Sequence, residues 1–347
     1  MGRYIVKRLL YMAAVFLLLT FLLFCLYQLM PSNRAYTDAR TAIQSYKGSL
    51  SSEEREAKFQ ELLLEYQRMY GTDTDNLITL YLRWWGAAPF YNGKYSGILQ
   101  GDFGYSYEYA QPVVEMIGPF MRNSMLIGAI SEIAVLAVTI PLGIVCATKK
   151  CSRFDRGTQL FTLIGFSTPS FIIYIIFIVF FCSTLHWFPV SGMKTPGANF
   201  TGWAAVKDVL WHVALPCICL VFSSLASVTR IARASMIDAL SLDCIRTARA
   251  KGLTEKVVVY SHAWRNAMIP MVAIIVGGFF GIISGAMIME TMFGFKGMGL
   301  LFLNATMQAD YDLIMFLEVI YTFLALFSNL VIDLCYGLVD PRVRISK

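Results

Sequence analysis

Six runs of mostly apolar residues alternate with polar segments along the chain. A helix needs about 20 such residues to cross the hydrocarbon core of a bilayer, so the pattern predicts six membrane helices. We place them at residues 9–30, 125–148, 159–185, 213–229, 267–289 and 313–336. The first run exceeds the apolar part of a secretory signal peptide, about 7–15 residues, and is interpreted as an anchor. A composition of 57% hydrophobic and 15% charged residues supports a membrane protein, because a soluble core could not absorb so much apolar surface.

The positions of Lys and Arg indicate how the predicted helices are oriented. Cytoplasmic loops are enriched in these residues, and here basic segments alternate with the others. The basic segments are the N-terminus (Arg3, Lys7, Arg8), residues 149–157, residues 230–266 and the tail (Arg342, Arg344, Lys347). We therefore predict cytoplasmic termini and an outer segment at 31–118, which holds 8 Lys/Arg against 11 Asp/Glu. This asymmetry explains the net charge of +6, and nothing in it indicates nucleic acid.

The outer segment, residues 31–118, is predicted to be mainly helical. Its stretch SSEEREAKFQELLLEYQRMYG has apolar residues at three-to-four spacing, which is typical of an amphipathic helix. Ser51 or Ser52 is suited to cap the first turn, and Gly71 is suited to end the helix in a left-handed turn.

Residues that could hold a metal, form disulfides or catalyse a reaction are scattered. None of the eight cysteines lies in the outer segment, where disulfides would be favoured. Cys217 and Cys219 are two apart in an apolar run, and small packing groups are a better interpretation than a metal pair. The three histidines lie in three different segments. The sequence therefore predicts no metal site and no catalytic residues.

Two features inside the predicted membrane helices are candidates for function. Glu132 lies about two turns into the second helix, and an ionisable group inside a membrane is a functional candidate by default. We interpret it as a candidate for a solute path. Gly277, Gly281 and Gly285 recur every four residues and predict a smooth stripe against which another helix, or another subunit, packs closely.

The segment DCIRTARAKGLTEKVVVYSHAWRNAMIP, residues 243–270, is basic and polar and lies between two apolar runs. It predicts two short helices: Gly252 ends the first, Thr254 caps the second, and Pro270 marks the start of the fifth membrane helix. Its apolar residues exceed what a solvated loop needs and predict docking in a groove of another protein. They are Ile245, Ala248, Leu253, Val257, Val258, Tyr260 and Trp264. The alternative is a helix held at the membrane surface by anionic lipid.

The same segment resembles the cytoplasmic coupling loop of ABC-importer permeases. RTARAKGL and RNAMIP are similar to its EAA signature in the form found in the dipeptide/oligopeptide permease family. Arg246, Thr247 and Ala248 stand where the signature has Glu-Ala-Ala, and Gly252 stands at its glycine. Further stretches resemble the family in the expected order: MGRYIVKRLL at the start, GDFGYSY at 101–107, IPLG at 140–143, STPSF at 167–171, FPVSG at 188–192, LP at 215–216, ETMFGFKGMG at 290–299 and DPRVR at 340–344.

The resemblance implies an all-α polytopic membrane protein with six transmembrane helices, of the type I ABC-importer permease kind. The expected domains are an anchor helix at 1–30, an extracytoplasmic segment at 31–118 and a permease domain at 119–347 that contains a coupling loop at 236–268. The coupling residues that the resemblance implies are Arg246, Thr247, Ala248, Arg249, Lys251, Gly252 and Leu253.

The implied activity is import of peptides or similar small solutes by alternating access. No G-x-x-x-x-G-K-[ST] loop is present, so this chain is expected to bind no cofactor, and ATP and Mg are expected to be used by partner subunits. The implied partners are a second homologous permease subunit, two cytoplasmic ATPase subunits and an extracytoplasmic substrate-binding protein. The implied location is the plasma or inner membrane.

Three alternatives stay open at this point. Relatives in the same family are associated with oligosaccharides or nickel. An ion-coupled secondary transporter would need a relay of ionisable groups and usually a repeat, and a membrane-bound enzyme would need a clustered catalytic set. The sequence favours neither of the last two.

Overall fold

The structure is a computed structural model that describes most of the chain. The described residues are 2–29, 34–46, 51–74, 76–90 and 92–339. The motif DPRVR and the basic residues of the tail lie outside the described residues.

Helices form nearly all of the regular structure in these ranges. In chain order they are α1 (Gly2–Gln28), α2 (Arg34–Ser45), α3 (Ser52–Met69), α4 (Leu77–Trp85), α5 (Val113–Thr148), α6 (Arg153–Ser167), α7 (Ser170–Phe177), α8 (Trp203–Leu240), α9 (Asp243–Ala250), α10 (Glu255–Val257), α11 (Trp264–Ser284), α12 (Met287–Met292), α13 (Met298–Gln308) and α14 (Tyr311–Val339). Two π-helical turns, Ile178–Thr184 and Val258–Ala263, follow α7 and α10. Strands β1 (Tyr105–Ser106) and β2 (Gln111–Pro112) form a short antiparallel pair, with Tyr105 opposite Pro112.

Five helical runs of the described chain are long and apolar enough to cross a bilayer. They are α1, α5, α8, α14 and the run from α10 through α11. Each one overlaps a run that the hydrophobic pattern predicted. The predicted all-α polytopic fold is confirmed.

The third predicted span, 159–185, is a bent pair of helices. The axes of α6 and α7 are bent by 100° at the break between them. The cause is Pro169, since the residue before a proline is driven out of the α region. Thr168 accordingly has φ −90° and ψ 125°. The chain has five spans by length and composition, or six if this pair counts as one.

The chain divides into two compact units. The first comprises Met1–Gly118 with Phe302–Phe323, and the second comprises Pro119–Leu301 with Leu324–Lys347. One boundary falls where the expected outer segment ends, but α1 and residues 302–323 group with that segment. The division into an anchor, an outer segment and a permease domain stays a prediction.

In the first unit α2 and α3 form a helical hairpin, and the ends of α3 have the predicted caps. The Ser51 hydroxyl accepts a hydrogen bond from the Glu54 amide, and the Glu54 carboxylate accepts one from the Ser51 amide. These bonds lower the pKa of Glu54. Elsewhere in the unit, a cluster of Phe24, Leu80, Tyr81 and Met315 packs α1 and α4 against the start of α14.

In the second unit α8 packs against α6 and α11. A bidentate ion pair ties α6 to α8, because the Arg233 guanidinium donates to both oxygens of the buried Asp155 carboxylate at 2.7 and 2.8 Å. Cys217 and Cys219 are buried in an apolar cluster with Ile127 and Leu215. Their positions fit the interpretation as packing groups.

Candidate functional site

The segment 243–270 begins with α9, which buries one face against its own chain. Ile245 and Ala248 are buried, whereas Arg246, Thr247 and Arg249 are exposed. A helix of eight residues is too short to be stable alone, so its position depends on this buried face.

The buried face of α9 lies in a cluster built from the ends of two membrane helices and from the helix that follows. The cluster comprises Ile144 and Ala147 of α5, Met236 and Ala239 of α8, Ile245 and Ala248 of α9, and Val258, Val259, Ala263 and Ala267. The prediction that the apolar residues of the segment dock on another protein is therefore wrong for Ile245, Ala248 and Val258. Burial removes them from any partner, and the coupling residue Ala248 contacts its own chain.

The predicted glycine elbow is confirmed. Gly252 has φ 77°, in the left-handed region. Its N–H donates to the carbonyl of Arg249 at 3.0 Å, and the N–H of Leu253 donates to the carbonyl of Ala248 at 3.4 Å. These two bonds are those of a Schellman motif. Thr254 stands at the N-cap position of the next helix, but its side chain makes no cap hydrogen bond there.

The helix after the elbow is not short. It runs from Glu255 through the π-helical turn and α11 to Ser284, without a break. Pro270 lies inside α11 and does not mark the start of a span. Prolines are tolerated within membrane helices because neighbouring helices and local π-helical adjustments satisfy the freed carbonyls. One continuous helix thus begins three residues after Gly252 and extends through the predicted fifth span.

An ion pair that the sequence analysis missed crosses the elbow. The Arg249 guanidinium donates to the Glu255 carboxylate through Nε at 3.1 Å and Nη2 at 2.6 Å. These hydrogen bonds raise the pKa of Arg249. An Arg and a Glu six residues apart, on either side of a helix-ending glycine, could have indicated this ion pair in the sequence. Arg246 forms a looser pair with Asp243 at 3.4 Å, and both side chains are largely exposed.

Several apolar and basic side chains remain exposed on the segment. Leu253, Val257 and Tyr260 are 40%, 39% and 52% exposed. Lys251 is also exposed. These four residues and Arg246 are available to a partner, which is the part of the docking prediction that the geometry leaves open.

Glu132 lies in a cavity of about 150 Å³ between α5, α8 and α11. A Cβ added to Gly278 of α11 would overlap the Glu132 carboxylate, so the absence of a side chain there lets the two helices approach. Gly281 and Gly285 also line the cavity. Glu132 and the glycine stripe were predicted as separate features, and the structure brings Gly281 and Gly285, but not Gly277, into one cavity lining with Glu132.

The predicted glycine stripe is shorter than expected. Gly285 ends α11, with φ 76°, and does not continue its surface. A Cβ added to Gly277 or Gly281 would meet no atom of the described chain within 4 Å. The expected contact with another helix is thus not made within the described residues at these two positions. Contact with another subunit stays a prediction.

A second buried carboxylate in this unit was also missed. Glu290 accepts hydrogen bonds from the Ser124 hydroxyl at 2.6 Å and from the amides of Ala286 at 3.2 Å and Leu300 at 2.9 Å. Gly285, Gly297 and Gly299 surround it so closely that a Cβ on any of them would crowd its carboxylate. The signal was an acidic residue in an apolar run rich in glycine, GAMIMETMFGFKGMG.

Comparison with known proteins places this geometry in a family. Residues 139–345 match the family described as binding-protein-dependent transport system inner membrane component. The chain belongs to this family. It is therefore the membrane component of a transport system and a multi-pass membrane protein, and its relatives are permeases rather than enzymes.

Two relatives that match most of this chain are named as permease proteins of peptide transport systems. The oligopeptide transport system permease protein AppB of Bacillus subtilis (strain 168) is 32% identical over 345 residues, which are 99% of this chain and 100% of that protein. The dipeptide transport system permease protein DppB of Escherichia coli (strain K12) is 33% identical over 270 residues, which are 72% of this chain and 79% of that protein.

A solved structure supports the permease fold. A chain of the MetNI methionine ABC transporter, in its inward-facing conformations, matches with a TM-score of 0.51 and 13% identity. The match covers 65% of this chain and 97% of that one. At this identity the likeness shows the fold alone, and it confirms the expected ABC-importer permease architecture.

Proposed function

We propose that this chain is the permease subunit of an ATP-driven importer and forms half of a translocation path for peptides or similar small solutes. The similarity to peptide permeases over the whole length of the chain is the main support. A second support is the position of the segment 243–270, which packs on the ends of α5 and α8 and continues into α11.

In this proposal the importer has two ATPase subunits and a second, homologous permease subunit, and the segment 243–270 couples one of the two ATPases to the membrane helices of this chain. The coupling residues are Arg246, Thr247, Arg249, Lys251, Gly252 and Leu253, with Ala248 as the internal anchor. ATP and Mg belong to the ATPases. When these subunits close on ATP they move the elbow, and the continuous helix 255–284 transmits the movement to the cavity that holds Glu132. The path then opens alternately to the two sides of the membrane.

The test is reconstitution of the complete importer in liposomes. The chain is purified with its co-expressed ATPases and second permease, and uptake of labelled trialanine is measured with the binding protein outside and ATP inside. Uptake should require ATP and should persist when ionophores remove every ion gradient. Uptake without ATP that stops with the ionophore would indicate a secondary transporter. Uptake of nickel or maltotriose in place of trialanine would correct the solute class.

The proposed orientation places both termini and the segment 243–270 in the cytoplasm and residues 31–118 outside. The exposed native Cys244 provides a matched control for it. In a variant that keeps Cys244 as its only native cysteine and adds Ser52→Cys, an impermeant maleimide should label the introduced thiol in intact cells. Cys244 should react only after lysis. The reverse pattern would overturn the orientation.

The glycine stripe is proposed to contact the second permease subunit. Gly281→Leu should reduce recovery of the assembled complex, because added bulk forces closely packed helices apart. Gly157→Leu is the control, since a Cβ at Gly157 likewise meets no atom of the described chain within 4 Å but lies on a different helix. Equal recovery of the complex from both variants would remove the subunit contact; uptake is not the readout here, because Gly281 also lines the cavity that holds Glu132.

A further inference from the structure

The charged side chains that line the cavity holding Glu132 are acidic in the described chain. Among the described residues, its lining includes the carboxylates of Glu132 and Glu290 and no Lys, Arg or His. The remaining wall is apolar or carries hydroxyl groups, with Ile127, Leu220 and Ile282 among the apolar residues. A negative charge in this cavity would meet carboxylates rather than a cationic side chain of this lining, so the lining favours a cation.

The two carboxylates differ in how far their hydrogen-bonding capacity is used. Glu290 accepts three bonds from its own chain. Among the described residues, no donor within hydrogen-bond distance is found for Glu132, whose carboxylate lies beside Gly278. The hydroxyl of Ser131 is used by Cys217 at 3.1 Å, whereas that of Ser224 has no such partner in the same part of the chain. Glu132 and Ser224 are therefore the polar side chains left for a ligand.

We propose that this cavity binds the ammonium group of the transported solute, with Glu132 as its counter-charge and Ser224 as a further acceptor. The inference rests on the proposed function and adds a recognised chemical group to it. A carboxylate inside a membrane protein is costly without a partner, and an entering ammonium group supplies that partner.

The size of the cavity limits what it holds. At about 150 Å³ it is similar to an engineered protein cavity that binds benzene. It therefore accommodates the amino terminus and first side chain of a peptide, with the apolar wall against that side chain, and not a whole oligopeptide.

Binding to the complete importer without binding protein and without ATP tests the inference. Leaving out the binding protein removes its selectivity from the measurement. Saturation-transfer NMR in lipid nanodiscs compares trialanine, which has a free ammonium group, with N-acetyl-trialanine, which has none. Trialanine should bind about tenfold more tightly, as expected for one hydrogen-bonded charge pair.

Variants test whether Glu132 is the residue responsible for the preference for a free ammonium group. Glu132→Gln should reduce the affinity for trialanine to that for the acetylated peptide, and Glu132→Asp, which keeps the charge, should restore part of the difference. Glu318→Gln is the matched control, because Glu318 is a half-buried carboxylate of the spans that does not line this cavity.

Three results would overturn the inference: equal binding of the two peptides to the wild type, no binding of either, or a preference that survives Glu132→Gln. Each leaves the proposed function standing if the same preparation takes up trialanine with ATP in liposomes. Loss of that uptake in the wild type would instead count against the proposed function.

Discussion

The helices α3 and α9 both end at a glycine in the left-handed region, Gly71 with φ 71° and Gly252 with φ 77°. Both ends have the two hydrogen bonds of a Schellman motif. After α3 the amides of Gly71 and Thr72 donate to the carbonyls of Arg68 and Gln67, at 3.4 and 2.8 Å. An Arg–carboxylate pair also braces each turn, Arg83 with Asp73 in the first and Arg249 with Glu255 in the second.

The surroundings of the two turns differ. A Cβ added to Gly71 would overlap the Phe90 ring, and Arg83 also donates to the Gly71 carbonyl at 2.8 Å. The side chains of Arg83 and Asp73 are only 14% and 19% exposed. Around Gly252 no atom of the described chain lies within 4 Å of the added Cβ, and the bracing pair is 46% and 62% exposed.

The same local motif thus lies in two different surroundings. At Gly71 the turn is packed against its own chain and fixes the structure of the first unit. At Gly252 the turn is fixed from the inside by α9 and open on the outside, as a surface element that meets a partner would be. Side-chain substitution should therefore reveal strain plus overlap at the first glycine and strain alone at the second.

The largest expected effect is that of Gly71→Val. Left-handed backbone strain costs about 1–2 kcal/mol for a residue with a Cβ, and overlap with Phe90 adds about 1–3 kcal/mol. From these two contributions we expect the free energy of unfolding to fall by about 3 kcal/mol, which is measured as a lower unfolding temperature of the purified protein in detergent. Gly93→Val is the control, because Gly93 has φ 74° and no atom near the added Cβ. Equal shifts for the two variants would show that the overlap with Phe90 contributes nothing.

Gly252→Val should have a smaller effect on stability and a selective effect on function. Strain alone amounts to about 1–2 kcal/mol, so protein should reach the membrane at a normal level. Because a changed elbow tilts α9 against the helix that follows, uptake should be lost and substrate-stimulated ATP hydrolysis reduced. Gly197→Val is the matched control, with φ 75° and open space in the same unit, and should keep both activities.

Two outcomes would separate coupling from its alternative. If Gly252→Val and Gly197→Val behave alike, the elbow has no special role. If Gly252→Val is silent and removal of anionic lipid abolishes uptake, the segment 243–270 is a membrane-surface element.

The spans and both glycine turns could be predicted because each depends on local sequence. Apolar length decides whether a helix can cross the bilayer, and a glycine after an amphipathic run decides where a helix ends. The bend before Pro169 was also encoded locally, but a continuous apolar run hid it. The sequence did not predict that helix 255–284 continues through Pro270, because a proline commonly marks the start of a helix.

The site was harder to predict because it depends on contacts between distant residues. Which apolar side chains of α9 face inward is decided by α5, about 100 residues earlier, together with α8, which is next to it in the chain. The cavity joins Glu132 to Gly278 and Gly281 of another helix, and periodicity along one helix does not report its neighbour. From the sequence alone, the Gly252 elbow and Glu132 could be identified as candidates, but the residues that surround each of them could not.

A smaller effect than that of either glycine variant is expected of Arg249→Gln, which removes the ion pair across the Gly252 turn. Exposed ion pairs contribute about 0.2–1 kcal/mol, and side-chain entropy and salt reduce even that. Arg83→Gln, which removes the less exposed ion pair of the Gly71 turn, should lower the unfolding temperature more, because it leaves the Gly71 carbonyl and Asp73 without their donor.

A double-mutant cycle of Arg249→Gln with Glu255→Gln measures the interaction energy of the ion pair across Gly252, and this energy should decrease as the salt concentration is raised. Arg246→Gln, whose pair with Asp243 is longer and more exposed, should show still less coupling with Asp243→Asn. A coupling above about 2 kcal/mol across Gly252 would mean that the turn is held as tightly as the one at Gly71, and the contrast between an open and a packed turn would fail.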